Sequence, residues 1–438
     1  MSETVLLVGG GGREHAIARA LSGADATLYA CAGNRNPGIA EVAADLEVVE
    51  ETDVGAVVDY AESVGATLVV VGPEAPLAAG LVDALEEAGI YAFGPRQAEA
   101  RIETDKVWQR EFMARESIPG RPDFETFEDS EAATAYVESY DGDVAVKPRG
   151  LTGGKGVRVT GDQLSKAEAA DYVRDAEYDE WVIEQRLVGE EFTIQAFVAN
   201  GSVRLSPAVQ DHKRAYEGDE GPNTGGMGAY SDDAFELPFM TEADYDAAAE
   251  IIRETVDALP EYRGILYGQF MLTADGPKVV EFNARFGDPE AMNTLPVLRT
   301  DLLDVLTAAR DGEELPPLEF DARATVCKYG VPAGYPTDPE AGTKLTLDAD
   351  SVAAAGEGTD ADALLFYASV DERADGIYTT TSRAFAVVGV GPTIADAEAV
   401  AEGALAAAPE EGVRIRHDVG TAALVERRIE HMQQLRGE

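Results

Sequence analysis

A chain of 438 residues, 45% of them hydrophobic, is long enough for several domains with their own cores. No apolar run reaches the ~18 residues of a membrane span, and Cys31 and Cys327, far apart in sequence, make neither a disulfide framework nor a metal cluster, as expected in a reducing compartment. The net charge of −47, from 82 acidic against 35 basic residues spread along the chain, disfavours a nucleic-acid partner and suits a surface adapted to concentrated salt.

The N-terminus enters a strand pattern at once, from Thr4 to Val8, with no secretory leader, so a soluble cytoplasmic protein is expected. Residues 1–100 alternate strand and helix patterns, as an open parallel α/β sheet does. TVLLVGGGG leads into a helix at REHAIARAL, and ATLYACAG is the second strand. A helix near 53–64, the strand ATLVVVGPEAPL, a helix over 78–88 and the strand IYAFGP follow. The glycines at 9–12 do not fit G-x-G-x-x-G, because Glu14 or His15 falls where the third glycine belongs. The second strand ends YACAGN, without the acid that holds a ribose hydroxyl, so a nicotinamide cofactor is disfavoured. Backbone N–H groups at a helix start still suit a phosphate. Taken alone, these glycines read slightly better as a tight turn, and His15 as a packing residue.

After Gly94-Pro95, TDKVWQREFMARESI begins a helix capped by Thr104 or Asp105. Residues 144–160, VAVKPRGLTGGKGVRVT, set Lys147 and Lys155 around a glycine-rich turn. This is not a P-loop. Only three residues separate Gly150 from Gly154-Lys155, no Ser or Thr follows, and both flanks alternate as strands do. The segment reads as a hairpin whose ammonium groups suit the cover of a triphosphate, where a glycine turn folds over, screens charge and excludes water. Lysine is otherwise scarce: Lys106, Lys166, Lys213, Lys278, Lys328 and Lys344 complete the set, so a basic surface hairpin is a poor alternative.

VIEQRLVGEEFT, residues 182–193, is a strand entering a turn. Backbone groups at Gln185 and Leu187 suit an adenine edge, Glu184 its amino group and Glu191 ribose hydroxyls, although glutamate pairs are common in so acidic a chain. Strands EFTIQAFV, SVRLSPAVQ, GQFMLTA and PKVVEFNA follow, with helices at 241–258 and 300–310. The polar, glycine-rich stretch QDHKRAYEGDEGPNTGGMGAYS, residues 210–231, is too long for an idle loop and carries Lys213 and Arg214. In VVEFNARFGDPEAMN, Glu281 and Asn283 stand two apart on a strand and so share a face. A carboxylate and an amide oxygen there suit Mg²⁺ bound jointly with phosphate oxygens, with Gln269 as a third ligand if its strand pairs with theirs. Arg285 follows on that face, placed for a transferring phosphoryl group. A cross-strand polar pair facing solvent is the alternative, disfavoured by Val280, Phe282 and Phe286. From Ala324 on, strands ATVCKYGV, TKLTL, ALLFYASV and RAFAVVGVG precede helices at 394–407 and 420–435, and joints are expected near 100–120, 187 and 320.

In order and spacing, GGGGREHA, GPEAPLAAGLVD, KPRGLTGGKGV, GEE, residues 210–231 and EFNARFGDPE make essentially the whole chain similar to ATP-grasp ligases. Among these it resembles the phosphoribosylamine–glycine ligase (glycinamide ribonucleotide synthetase) family of purine biosynthesis. The resemblance implies an α/β and α+β multidomain protein. An N-terminal open parallel α/β (pre-ATP-grasp) domain spans 1–100, an ATP-grasp body spans 101–323 with a small lid at about 119–187, and a C-terminal mixed α/β domain spans 324–438. It implies ATP between lid and body, with Lys106, Lys147 and Lys155 on the phosphates and Glu184, Gln185, Leu187 and Glu191 around the adenosine. Mg²⁺ or Mn²⁺ falls to Gln269, Glu281 and Asn283, of which Gln269 is not universal in the family. Gly11, Gly12, Arg13, Pro73, Glu74 and Asp288 are the candidates for the substrates, and Asp211, Lys213 and Arg285 for the reacting centre. Where many relatives have Glu-Glu-Phe-Leu, this chain has Glu184-Gln185-Arg186-Leu187, which spares backbone contacts. The implied substrates are glycine and 5-phosphoribosylamine, joined through glycyl phosphate by a monomer with no nucleic-acid or membrane partner. A ligase for formate or bicarbonate is not expected to share residues 210–231. A non-catalytic nucleotide sensor is expected to have lost a metal ligand or phosphate lysine, and this chain has not.

Overall fold

The computed structural model describes residues 3–150, 156–178, 180–406, 408 and 411–437. Strands β1 (Glu3–Val8), β2 (Ala26–Ala32), β3 (Asp45–Val48), β4 (Leu68–Val71) and β5 (Tyr91–Phe93) form a five-stranded parallel sheet in the order β3-β2-β1-β4-β5. All four residues of β4 are buried, as in a strand covered on both faces by helices. The order reverses between β1 and β4, where an open α/β sheet leaves a crevice at its strand ends. The turn after β1 and the Gly72-Pro73 turn after β4 flank that crevice, tied by a bond from Gly72 N to Val8 O of 3.0 Å. The expected helix over 78–88 is two helices, Glu74–Ala78 and Leu81–Glu87, because Gly80 between them is left-handed (φ 83°).

Strands β6 (Phe124–Phe127), β7 (Val144–Pro148), β8 (Arg158–Val159) and β9 (Trp181–Gln185) make a second sheet, order β6-β9-β7-β8. Val144, Val146, Trp181 and Ile183 give it a core separate from the rest, closed by helices Ser130–Ser139 and Lys166–Asp175. The antiparallel pairing of β7 with β8 is the hairpin read from the sequence. Its turn residues 151–155, Lys155 included, lie outside the described residues.

The body sheet takes β10 (Glu190–Ala199) and β11 (Ser202–Leu205). The chain then passes β12 (Gln210–Asp211), β13 (Arg214–Tyr216), β14 (Glu220–Asn223) and β15 (Gly228–Ser231) before β16 (Gly264–Thr273) and β17 (Gly276–Asn283) complete that sheet as β11-β10-β16-β17. SVRLSPAVQ is not one strand: it stops at Leu205, since Pro207 has no N–H for a ladder. Helix Glu242–Asp257, its N-terminus closed by reciprocal bonds between Thr241 and Asp244, buries Ile251 and Ile252 in the same core as Phe270 and Phe282 of that sheet.

Strands β18 (Ala324–Pro332), β19 (Asp362–Tyr367), β20 (Val370–Arg373), β21 (Gly376–Thr379), β22 (Phe385–Gly391) and β23 (Val413–Ile415) close the chain. The sheet built on the fully buried β18 runs β12-β15-β18-β22-β19, with β23 also on β18, while β20 and β21 pair as a hairpin. The 210–231 segment thus extends the C-terminal sheet. TKLTL is not a strand. Its one bridge is Lys344 to Tyr378, beside which Leu345 N donates to Ile377 O at 2.8 Å, while the Leu345 and Leu347 side chains pack into the C-terminal core. Both cysteines are buried and free. Among the described residues, no helix is long and apolar enough to cross a membrane.

Candidate active site

Two cavities meet in the cleft between the small sheet, the body sheet and the N-terminal crevice. The first, about 340 Å³, has Ala145, Val157 and Val159 on the hairpin side and Met271 and Val280 on the body side. Glu184, Gln185, Leu187, Glu191, Lys147, Gln269 and Glu281 complete its lining. The second, about 360 Å³, gathers Arg13, Pro73, Glu74, Lys106, Asp211, Asn283, Arg285 and Asp288. Lys213, Thr224 and Glu281 belong to both, so the cavities join at a lysine and a carboxylate. Gly11 lines a smaller recess beside Pro73 and Asp288. Gly12 lines none of these: it is buried where a Cβ would meet Tyr329 Oη at 2.6 Å, so it serves close packing of the helix start.

Lys147 points from β7 into the body. Its Nζ donates to Val280 O at 2.9 Å and lies 2.8 Å from Glu184 Oε2. Arg110, from helix Lys106–Arg115, holds both oxygens of Glu184 at 2.6 and 3.2 Å and donates to Val280 O at 2.7 Å. Burial pushes the Glu184 carboxyl up, but Arg110 and Lys147 hold it below its ordinary value. Burial also draws the Lys147 ammonium down while Glu184 opposes that, and a carboxylate with a second, bidentate cation keeps the pair ionised. With both oxygens engaged by Arg110 and Lys147, Glu184 positions Lys147. Arg110 carries no sequence signal that sets it apart from other helix-surface arginines.

Lys106 opens its helix, whose cap is Asp105, accepting from Trp108 N at 3.0 Å. Lys106 Nζ donates to Gly150 O at 2.6 Å and Arg149 Nη2 meets Asp105 at 2.7 Å, so the glycine hairpin starts against this helix end.

Glu281 and Gln269 are directly opposed on β17 and β16, and Asn283 opposes Tyr267. Gln269 donates to Glu191 Oε2 at 2.6 Å, and its oxygen accepts from Lys213 Nζ at 2.5 Å; that ammonium stands 3.8 Å from Glu281. Burial raises Glu281, but Lys213, Lys106, Lys147 and Arg285 bring it down to about 2. A permanent carboxylate with two amide oxygens, already facing a lysine cation, fits a hard divalent ion that shares its shell with phosphate oxygens. Among the described residues, no cluster of three His, Cys, Asp or Glu is set to hold a metal by itself.

In the second cavity Arg285 Nη2 lies 2.9 Å from Glu103 and its Nε 3.6 Å from Glu74. Arg383, on the chain leading into β22, meets Asp288 at 2.9 Å. Asp288 also accepts from Tyr329 Oη at 2.5 Å. Burial, then the Glu290 charge, pushes Asp211 up, and burial raises Glu290, whose carboxyl takes the Tyr267 hydroxyl at 2.8 Å. Arg13 donates to Phe286 O at 3.1 Å, while Glu14 takes the Gly11 N–H at 2.7 Å and so occupies the helix start read as a phosphate site. Sequence reasoning missed Glu103, Tyr267, Glu290 and Arg383. Glu290 sat inside the quoted Asp288-Pro289-Glu290; Arg383 had no motif around it. His15 is a packing residue, stacked on Tyr367 and accepting its N–H at 2.9 Å.

Residues 3–103, 104–291 and 325–422 match the N domain, the ATP-grasp (A) domain and the C domain of phosphoribosylglycinamide synthetase. The phosphoribosylamine–glycine ligase of Methanococcoides burtonii is 52% identical over 99% of both chains, and that of Methanosarcina barkeri 51% over 99% of this chain and 100% of its own. The crystal structure of the Thermotoga maritima phosphoribosylamine–glycine ligase is 26% identical, with a TM-score of 0.78 over 95% of this chain and 99% of that one. At 16% identity and a TM-score of 0.72, the biotin carboxylase domain of Hydrogenobacter thermophilus 2-oxoglutarate carboxylase, solved with MgADP, covers 100% of this chain and 95% of its own and shares the fold. Domain by domain and along its full length, the chain belongs to the phosphoribosylglycinamide synthetase family.

Proposed function

We propose that the chain joins glycine to 5-phosphoribosylamine with ATP as phosphoryl donor, giving glycinamide ribonucleotide, ADP and phosphate. The observation that carries this is the junction of the two cavities at Glu281 and Lys213. A nucleotide in the apolar-walled cavity brings its terminal phosphate to that junction. The second cavity, lined by Arg13, Arg285 and Arg383 against Glu74, Asp211 and Asp288, offers both signs of charge to an amino acid and a sugar phosphate.

Lys106 and Lys147 neutralise the phosphates, and Lys213 holds the oxygens that pass from ATP to the acyl phosphate. A divalent ion, Mg²⁺ or Mn²⁺, on Gln269, Glu281 and Asn283 would draw charge from the phosphates. Glycine's carboxylate attacks the γ-phosphorus, and the ribosylamine nitrogen then attacks the acyl carbon, releasing phosphate. The Asp211–Glu290 pair, its acidity weakened by burial and like charge, is placed to take the proton that nitrogen loses. Positioning and dryness contribute most in such phosphoryl chemistry. An assay coupled to ADP tests the reading: release is expected only with glycine and phosphoribosylamine both present, and release with formate or bicarbonate instead would overturn it. The net charge of −47 supports a monomer of concentrated salt, and two free, buried cysteines suit the cytoplasm.

A further inference from the structure

Helix Ala422–Arg436 begins where the match to the C domain ends, at residue 422, and runs back over the ATP-grasp body. Arg436 holds it to Asp244 at 2.8 Å, and Arg428 approaches Glu190 Oε2 at 3.3 Å. Among the described residues of this helix, His431 is the one on the wall of the nucleotide-sized cavity. Its side chain is 39% exposed, so it is not sealed into the helix contact.

Glu190 and Glu191 are neighbours on β10, so their side chains leave opposite faces. Glu191 turns to the cavity, where Gln269 donates to it. Glu190 turns to the helix, where it meets His431 Nδ1 at 2.6 Å and accepts from Gln210 at 3.2 Å. Burial pushes the Glu190 carboxyl up, and Arg428 and His431 oppose this. In the neutral ring, a carboxylate facing Nδ1 keeps the proton on that nitrogen, which leaves Nε2 as an acceptor. Among the described residues Nε2 has no partner. Docking of the helix does not need it either, since Arg428 and Arg436 already supply charged contacts.

We propose that His431 accepts a hydrogen bond from a ribose hydroxyl of the bound nucleotide, beside Glu191. The C-terminal helix thereby contributes a specificity residue for ribonucleotides to a cavity otherwise built by the ATP-grasp body. This rests on the nucleotide reading of that cavity. The test is calorimetric titration of the full chain with MgATP and its 2′-deoxy and 3′-deoxy analogues. Wild type is expected to favour ATP over at least one analogue by about tenfold, the worth of one such bond. His431→Phe is expected to bring that preference within about twofold, His431→Gln, which keeps an acceptor, to restore much of it, and Arg436→Ala, which loosens the helix away from the cavity, to leave it intact. A wild type that does not discriminate, a His431→Phe variant that keeps the preference, or an Arg436→Ala variant that loses as much would overturn the inference. Failure of wild type to bind ATP at all would instead overturn the proposed function.

Discussion

Glu184 shows how far one side chain's role departs from its motif. As a sequence signal it is one acid among many, while in the fold it is a buried anion between two cations, one on the small sheet and one on the body. Glu184→Gln leaves Arg110 and Lys147 buried against a neutral amide and is expected to cost about 3 kcal/mol in urea unfolding. Lys147→Met leaves the Arg110–Glu184 pair whole. Stability is expected to change by about 1 kcal/mol or less, while turnover falls on the order of 100-fold because the proposed phosphate contact is lost. Equal stability losses in both variants would contradict this division. The acceptors on β17 were legible from alternation alone, since spacing two apart fixes a face whatever surrounds it. Arg383 and His431 were not, because each reaches the cleft by tertiary packing from a segment legible as strand or helix but without a motif that marks the residue.

Between elements, contacts of the N-terminal helix Gly12–Leu21 with β19 are expected to depend on pH. His15 accepts the Tyr367 N–H, and burial lowers its pKa from 6.5 to about 4. The unfolded chain therefore binds this proton first, and the stabilising effect of neutral His15 is lost as pH falls from about 6.5 toward 4. Between pH 7 and 5 wild type is expected to lose about 2 kcal/mol more than His15→Gln, read from urea midpoints at the two pH values. Identical pH slopes would show that His15 titrates normally. At this scale the sequence was readable where apolar period and punctuation agree, as in the strands of the first sheet and the helix after Thr241. It misled where a glycine or proline sat inside a periodic run, at Gly80 and Pro207, and where TKLTL alternates but lacks a long partner.

Over the whole molecule, the excess of 47 negative charges repels itself in dilute buffer and is screened within a few ångströms in molar salt. Raising KCl from about 0.1 to about 2 M is expected to raise the melting temperature by on the order of 10 °C, followed by circular dichroism. An unchanged melting temperature would remove salt adaptation as the reason for the composition. Another whole-molecule property comes from the sheet in which β12 and β15 continue β18. Asp211 sits at the end of one of these strands, so the floor under the proposed reacting centre is woven from two distant lengths of chain. Recombining family members at the joint near residue 320 would therefore replace half of that floor while keeping every residue of the loop above it. Chimeras cut there should bind nucleotide and still falter in the ligation step, and a cut that carries residues 210–231 along with the last third should not.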